Sequence, residues 1–294
     1  MKVFLSGGTG FVGSHLRKAL LDKGHQIRLL VHKSGGSFGQ GVEPVEGDIT
    51  ILETFADAVR GCDATINMVG IIREFPGRGI TYGKLHLEAT RNVTDAAEAA
   101  GVKRHLQMSA LGTRADATSA YHRSKFRGEE CVRASGLDWT IFRPSIIFGE
   151  KDAFVNKLAG FIRNFPAVPV IGDGAYRLQP ISVIDVARCF VMALEMPETS
   201  GKTYELCGPD RFTYNDLLDT IGRVLGRPMV AKVTAPLALM KAIVPVFQRF
   251  SFFPITMDQI LMLVEENICD GTWRGTFRFE PERFADGIVR YLRR

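Results

Sequence analysis

Tyr121 and Lys125 stand four residues apart in YHRSK, inside a stretch whose pattern predicts a helix from about Ser119 to Ala134, so both side chains project from one helical face. An ammonium beside a phenol favours phenolate, and this spacing predicts a tyrosine whose pKa falls from its ordinary value of about 10 towards neutrality. Tyr121 would then exchange a proton with a carbinol or carbonyl oxygen. Ser109, at the end of the predicted strand RHLQMS, would hydrogen-bond that same oxygen. A Tyr and a Lys at this spacing also arise by chance, as a half-buried ring beside a solvated amine. Placement favours chemistry here, because the pair follows the predicted fifth strand, at the sheet edge where doubly wound folds bind ligands.

A second constellation opens the chain. The predicted strand KVFLS runs into Gly7, Gly8, Thr9, Gly10, Phe11, Val12 and Gly13 and then a helix, a GxxGxxG spacing. Gly7 would permit the tight turn, Gly10 would let backbone approach a pyrophosphate, and Gly13 would let the helix lie close on the sheet, with the helix N-terminus supplying amides and positive dipole. Dinucleotide binding is the expectation. At the end of the second predicted strand stand His32, Lys33 and Ser34, with no acid to accept from a ribose 2′-hydroxyl, so NADP is favoured over NAD. Asp48 could accept from the adenine amino group or cap the segment beginning at Leu52. Ile49, Val69, Gly70 and Met108 lie at the ends of the neighbouring predicted strands and join the cofactor-binding candidates.

These residues need a parallel sheet to gather them. Strand-length apolar runs alternate with amphipathic stretches: KVFLS, Phe11 to Asp22, QIRLLVH, VEPVEG, Leu52 to Arg60, DATINMV, a long helix from about Tyr82 to Ala100, RHLQMS, the Tyr121 helix and DWTIFRP. The expected fold is α/β, a doubly wound Rossmann sheet of six or seven strands. Residues 1–150 are read as the dinucleotide-binding domain, with segments from 175–210 returning to it, and 151–294 as a smaller mixed domain for substrate or partner. Helices are expected there near Phe154, Asp185, Thr213, Leu237 and Thr256.

Composition narrows the classes. With 294 residues, 46% of them hydrophobic, the chain can build a large core without staples. Five cysteines in no CxxC or Cys/His spacing argue against a disulfide framework and a zinc site, and for a reducing, cytoplasmic compartment. His86 and Glu88, lacking a third partner, read as surface decoration rather than a metal site. No apolar run approaches the roughly 20 residues of a membrane span, and the N-terminus lacks a signal-peptide pattern. A net charge of +5, spread along the chain, speaks against nucleic acid as partner.

GGTGFVG, QMSALG, YHRSK and FRPSIIFG together resemble the short-chain dehydrogenase/reductase superfamily, in the branch of the NAD-dependent epimerases and dehydratases. HLEATRNVTDAA, SALG, RPSIIFG, QPISVIDVA and FPITMDQILML resemble most the bacterial relatives of the NADPH-binding accessory subunit of mitochondrial complex I. The resemblance implies a catalytic set of Ser109, Tyr121 and Lys125, with Lys125 also holding the nicotinamide ribose and Pro144 and Ser145 beside the nicotinamide; Ile146 joins the cofactor-binding candidates. Leu178 stands where the sugar-nucleotide enzymes usually carry a phosphate-holding arginine, and Arg177 is one position early.

Between Asp219 and Asp258 there is no acidic residue, while Arg223, Arg227, Lys232, Lys241 and Arg249 sit among APLALM, AIVPVF and FSFFP. Residues 220–257 either close the small domain's core or form an apolar face for an anionic membrane, which would suit a hydrophobic, lipid- or quinone-like substrate. The expected activity is hydride transfer between NADP(H) and a hydroxyl or ketone carbon. The alternatives are an epimerase and a non-catalytic NADPH-binding module of a membrane respiratory complex.

Overall fold

The run KVFLS forms β1 (Lys2–Ser6), buried at four of its five residues because a parallel strand covered on both faces presents apolar side chains to each. It is followed by α1 (Phe11–Asp22), β2 (Gln26–Val31), β3 (Val42–Glu46), α2 (Ala56–Val59), β4 (Ala64–Asn67), α3 (Ala89–Ala99), β5 (Arg104–Met108), α4 (Ala120–Ala134) and β6 (Asp138–Pro144). The computed structural model describes residues 1–33, 36, 38–248, 250 and 255–293.

The chain continues through β7 (Ile147–Phe148), α5 (Ala153–Asn164), β8 (Val168–Ile171), β9 (Arg177–Leu178), β10 (Ile181–Ser182), α6 (Val183–Leu194), β11 (Lys202–Leu206), β12 (Phe212–Thr213) and α7 (Tyr214–Val224). It ends with β13 (Lys232–Ala235), α8 (Leu237–Phe247), α9 (Met257–Val264), α10 (Trp273–Phe277) and α11 (Phe284–Leu292).

Two compact units result, Met1–Pro144 with Val186–Glu205, and Ser145–Asp185 with Leu206–Arg294. The first holds a seven-stranded sheet in the order β11-β6-β5-β4-β1-β2-β3, with β1 to β6 pairing in parallel. This is the doubly wound Rossmann order, and its direction reverses between β1 and β4, where such sheets bind ligands at their carboxyl ends. Phe4 of β1 packs in one core with Ile49, Phe55, Val59 of α2 and Val93 and Ala97 of α3. The expected helix from Leu52 to Arg60 is broken into a single 3₁₀ turn (Leu52–Thr54) and the short α2.

In the second unit three small strand pairs, β7 with β10, β8 with β13 and β9 with β12, surround a core of Phe148, Leu158, Leu217, Ile221, Phe284 and Ile288. The cysteine reading is corrected here: Cys207 and Cys269, 62 residues apart, form a disulfide. The cysteines therefore give no ground for a reducing compartment. Asp185 does not cap α6, which begins two residues earlier; its carboxylate accepts from the Glu282 amide at 2.7 Å. Arg177 forms a two-bond ion pair with Glu266, and Leu178 is fully buried.

Of the basic apolar stretch, α8 buries Val244 against Ile171 and Ile260 and packs Leu237 and Met240 beside them. Its other side leaves Leu239, Ile243, Val246 and Phe247 exposed. Arg249 and most of FSFFP lie outside the described residues, as does Ser34. Among the described residues no helix is long and apolar enough to cross a membrane.

Candidate functional site

The glycine loop is shaped by close approaches. Gly7 has a φ of +73°, and a Cβ there would lie 2.9 Å from the backbone of Met68 and Val69, so the turn after β1 runs against the end of β4. A Cβ on Gly13 would lie 2.2 Å from the Gly7 carbonyl oxygen, which is how α1 comes to rest on the loop. At Gly10, the N-cap of α1, the nearest atom to a Cβ is 3.4 Å away, leaving room above the helix N-terminus. A cradle of backbone at a helix N-terminus fits a dinucleotide pyrophosphate. Thr9, Phe11 and Val12 belong to the same turn.

Beyond β2, His32 and Lys33 are both exposed. Asp48 does not cap the segment at Leu52, whose N-cap is Ile51. Its Oδ1 instead accepts from the Thr50 amide at 2.8 Å and hydroxyl at 2.7 Å. Burial pushes this carboxyl up, but the two Thr50 bonds together with the His32 and Lys84 charges hold Asp48 below its ordinary value. Ile49 is buried in the core with its carbonyl on Asn92.

Ser119 caps α4, its hydroxyl accepting from the His122 amide. Tyr121, Lys125, Glu129 and Arg133 then follow at four-residue intervals along one stripe of the helix. Lys125 is 5% exposed, and its Nζ reaches the carbonyls of Val69 and Met108, each at 3.4 Å. Gly70 lies beside it, and a Cβ there would stand 2.7 Å from Nζ, so a side chain at this position would displace the ammonium. The structure thus brings Val69, Gly70, Met108, Tyr121 and Lys125 together at the carboxyl ends of β4 and β5.

The expected pKa of Tyr121 is corrected. Burial disfavours the phenolate and pushes the phenol up to about 12, the direction opposite to the one expected from the lysine four residues on. Burial also lowers Lys125 to about 8, against a smaller opposing pull from Glu129. Ser109 is 4% exposed and donates to Glu129 Oε1 at 2.5 Å, so its proton points into the protein. Pro144 ends β6 in the first unit with its carbonyl on the Leu111 amide. Ser145 and Ile146 begin the second unit, bonded to the Gln179 carbonyl and to Asn267 Oδ1.

Several residues here were missed from the sequence. His86, far from surface decoration, is 1% exposed and sits in a π-helical stretch (Gly83–Glu88) that runs into α3. Its ring lies edge-on to Tyr121 at 5.3 Å and stacks on Tyr82. Nε2 accepts from the Ile71 amide at 3.1 Å, and Ser124 Oγ gives its proton to the Tyr121 carbonyl, so His86 Nδ1–H donates to Ser124 at 2.7 Å. Burial and the Lys125 charge lower His86 to about 2, which keeps it neutral. Beneath the site, Ser6 donates to Asn67 Oδ1 and Asn67 Nδ2 to Gln107 Oε1, a buried polar row that also holds the Val69 amide. A His in an otherwise amphipathic helix four residues before Thr90 was the only trace of this in the sequence.

Residues 7–197, well over half of the chain, match the family described as NAD(P)H-binding. The chain belongs to that family. Among relatives of this NAD(P)H-binding protein, NADH dehydrogenase (ubiquinone) 1 alpha subcomplex subunit 9 of Dictyostelium discoideum is 32% identical, over 79% of this chain and 65% of that protein. The Arabidopsis thaliana subunit of the same name is 31% identical over 89% and 67%. Ceramide reductase of Caulobacter vibrioides is 28% identical over 80% and 74%. The chain thus spans about two thirds of the length of these complex I relatives.

Its structure is similar to the UDP-glucose 4-epimerase of Thermotoga maritima, with a TM-score of 0.76 at 18% identity over 100% of this chain and 99% of that one. MoeE5 in complex with UDP-glucose and NAD gives 0.77 at 17% over 100% and 98%. These two show the fold. The chain is therefore an NAD(P)H-binding protein related to the NADH dehydrogenase alpha subcomplex subunits, with the fold of these two structures, and its glycine loop is the candidate seat of the dinucleotide.

Proposed function

We propose that this protein is an NADP(H)-dependent oxidoreductase that interconverts a ketone and a hydroxyl on a hydrophobic substrate. The observation that carries the reading is the placement of Tyr121 and Lys125 on one stripe of α4, with Lys125 Nζ between the carbonyls of Val69 and Met108 at the sheet's carboxyl edge. A bound nicotinamide supplies or accepts the hydride. Tyr121, kept protonated across the neutral range by burial, gives its phenolic proton to the oxygen of the carbon being reduced and takes one back in the reverse direction. Lys125, whose pKa of about 8 leaves it mainly charged at neutral pH, holds the nicotinamide ribose and stabilises the phenolate formed on proton loss. Ser109 keeps its proton on Glu129 and offers its oxygen as an acceptor to a substrate hydroxyl.

Exposed His32 and Lys33 follow β2, and Asp48, the acid whose charge His32 feels, is engaged by Thr50; this supports NADP over NAD. The relative named ceramide reductase supports a lipid-like substrate. The test is NADPH consumption with long-chain ketones and quinones. Tyr121→Phe is expected to lower turnover by about 10²–10⁴-fold while NADPH affinity stays within about twofold. Turnover that survives in Tyr121→Phe overturns the mechanism.

The second reading, a non-catalytic NADPH-binding module docked at a membrane complex, is favoured by the exposed apolar side of α8 in a segment without acids. An enzyme on a lipid substrate would share that peripheral contact with the inner membrane face. The protein is expected to sediment with anionic vesicles at low salt, and Leu239→Glu with Val246→Glu to abolish this. Absence of binding removes the membrane contact from both readings.

A further inference from the structure

In the second unit the C-termini of α5, α7 and α11 are held to one another by arginines. Arg163, in the last turn of α5, donates through Nη2 to the Leu292 carbonyl at the end of α11, at 2.5 Å. Arg293, which caps α11, donates through Nε to the Val224 carbonyl at the end of α7, at 3.3 Å. Arg227, three residues past α7, donates through Nη1 to the Ile162 carbonyl in the last turn of α5. The exchange closes a ring. Arg223, in the last turn of α7, adds a fourth guanidinium, bonded within its own helix to Thr220 Oγ1 at 2.8 Å and to the Asp219 carbonyl at 3.4 Å.

The need to satisfy helix-end carbonyls explains single N–H bonds but not four charges in one place. Among the described residues no carboxylate pairs with any of the four, and that of Asp219, one turn before Arg223, is held by Lys232 at 2.5 Å. Three helix C-termini supply about −0.5 of an elementary charge each, which leaves roughly two and a half positive charges uncompensated. Arg163, Arg223 and Arg293 line one open hollow of about 480 Å³, a volume within the span of small-molecule sites, about 300–1,000 Å³.

We infer that this hollow is a second anion site, in the unit that does not hold the glycine loop, and that it takes a phosphate monoester or pyrophosphate group. A phosphate monoester carries about −1.5 to −2 at neutral pH and accepts at three oxygens. That matches the uncompensated charge and the N–H donors that the carbonyls leave over. The carbonyl bonds hold the guanidiniums in place before a ligand arrives, so little side-chain freedom is lost on binding. The group arrives either on a soluble phosphoester or on a lipid headgroup.

The experiment titrates inorganic pyrophosphate calorimetrically into the full chain, with a saturating nicotinamide dinucleotide occupying the glycine loop. Wild type is expected to bind one pyrophosphate. Arg223→Gln, which leaves the ring of clasps intact, should weaken it by about tenfold, and Arg223→Glu by about a hundredfold. Arg223 is exposed, so both variants should unfold at the wild-type temperature and keep dinucleotide affinity within about twofold. Sedimentation with phosphatidylcholine vesicles, with and without phosphatidate, separates the two sources. Phosphatidate-dependent binding that Arg223→Glu removes assigns a lipid headgroup; vesicle binding indifferent to Arg223 assigns a soluble phosphoester. Wild type that does not bind pyrophosphate, or Arg223→Glu that binds it as tightly, overturns the inference and leaves the arginines as clasps between helix ends.

Discussion

Ser109 and Glu129 share a hydrogen bond of 2.5 Å, the hydroxyl donating to a carboxylate that is 1% exposed. The same carboxylate accepts from Arg143 Nε at 2.8 Å and Nη2 at 2.6 Å, and from Arg133 Nη2 at 2.6 Å. The strand end carrying Ser109 is therefore tied to α4 and β6 through one buried anion. Because Glu129 is two turns along the stripe from Tyr121, the network that orients Ser109 also fixes the helix that carries the tyrosine and lysine.

Removing that anion leaves the largely buried Arg143 with Glu205 Oε1, at 3.6 Å, as its remaining carboxylate partner. Glu129→Leu is expected to lower stability by about 3–5 kcal/mol, read from urea unfolding at pH 7. Adding Arg143→Met should recover most of the loss, since a packed apolar pair replaces a desolvated charge. A single variant within about 1 kcal/mol of wild type would mean that solvent reaches the pair.

The two loop glycines separate fold from binding. Gly13→Ala places a methyl 2.2 Å from a backbone oxygen that cannot move without shifting β1, so a loss of about 1–3 kcal/mol and of dinucleotide binding is expected. Gly10→Ala meets nothing closer than 3.4 Å at a φ of −73°, and its stability should stay within about 1 kcal/mol of wild type. Its methyl stands in the space assigned to the pyrophosphate, so NADPH affinity should still fall. Thermal unfolding and NADPH titration check both; unimpaired binding by Gly10→Ala would place the pyrophosphate elsewhere.

Sheet and loop were legible because their signals are local: buried parallel strands such as KVFLS write apolar runs, and GxxGxxG sits between one strand and one helix. The Tyr121–Lys125 pair was legible for the same reason. What spacing conveys poorly is proximity across the chain. Cys207 and Cys269 meet over 62 residues. Glu129 and Arg143 pair from a helix and the following strand. His86 is buried by a π-helical turn that seats its ring against Tyr82 and Tyr121, which leaves no pattern. The pKa of Tyr121 failed as a reading because sequence shows a lysine four residues on but not the burial that raises the phenol.

Lys125 makes stability depend on pH in the opposite sense from a paired surface lysine. Folding lowers its pKa from 10.5 to about 8, with the side chain 5% exposed. Below pH 8 both folded and unfolded chains carry the proton, and the cost of burying the charge is constant. Between pH 8 and 10.5 only the unfolded chain holds it, so this residue's contribution to stability rises with pH across that window, by about 3 kcal/mol in all. Lys125→Met is therefore expected to be more stable than wild type at pH 7, with the difference closing as pH climbs to 10.5, and to bind NADPH more weakly. Such a trade is the signature of a charge kept for a ligand rather than for the fold. Urea unfolding of both proteins between pH 7 and 10.5 checks it. A variant less stable than wild type throughout would mean that the carbonyls of Val69 and Met108 compensate the buried ammonium in full.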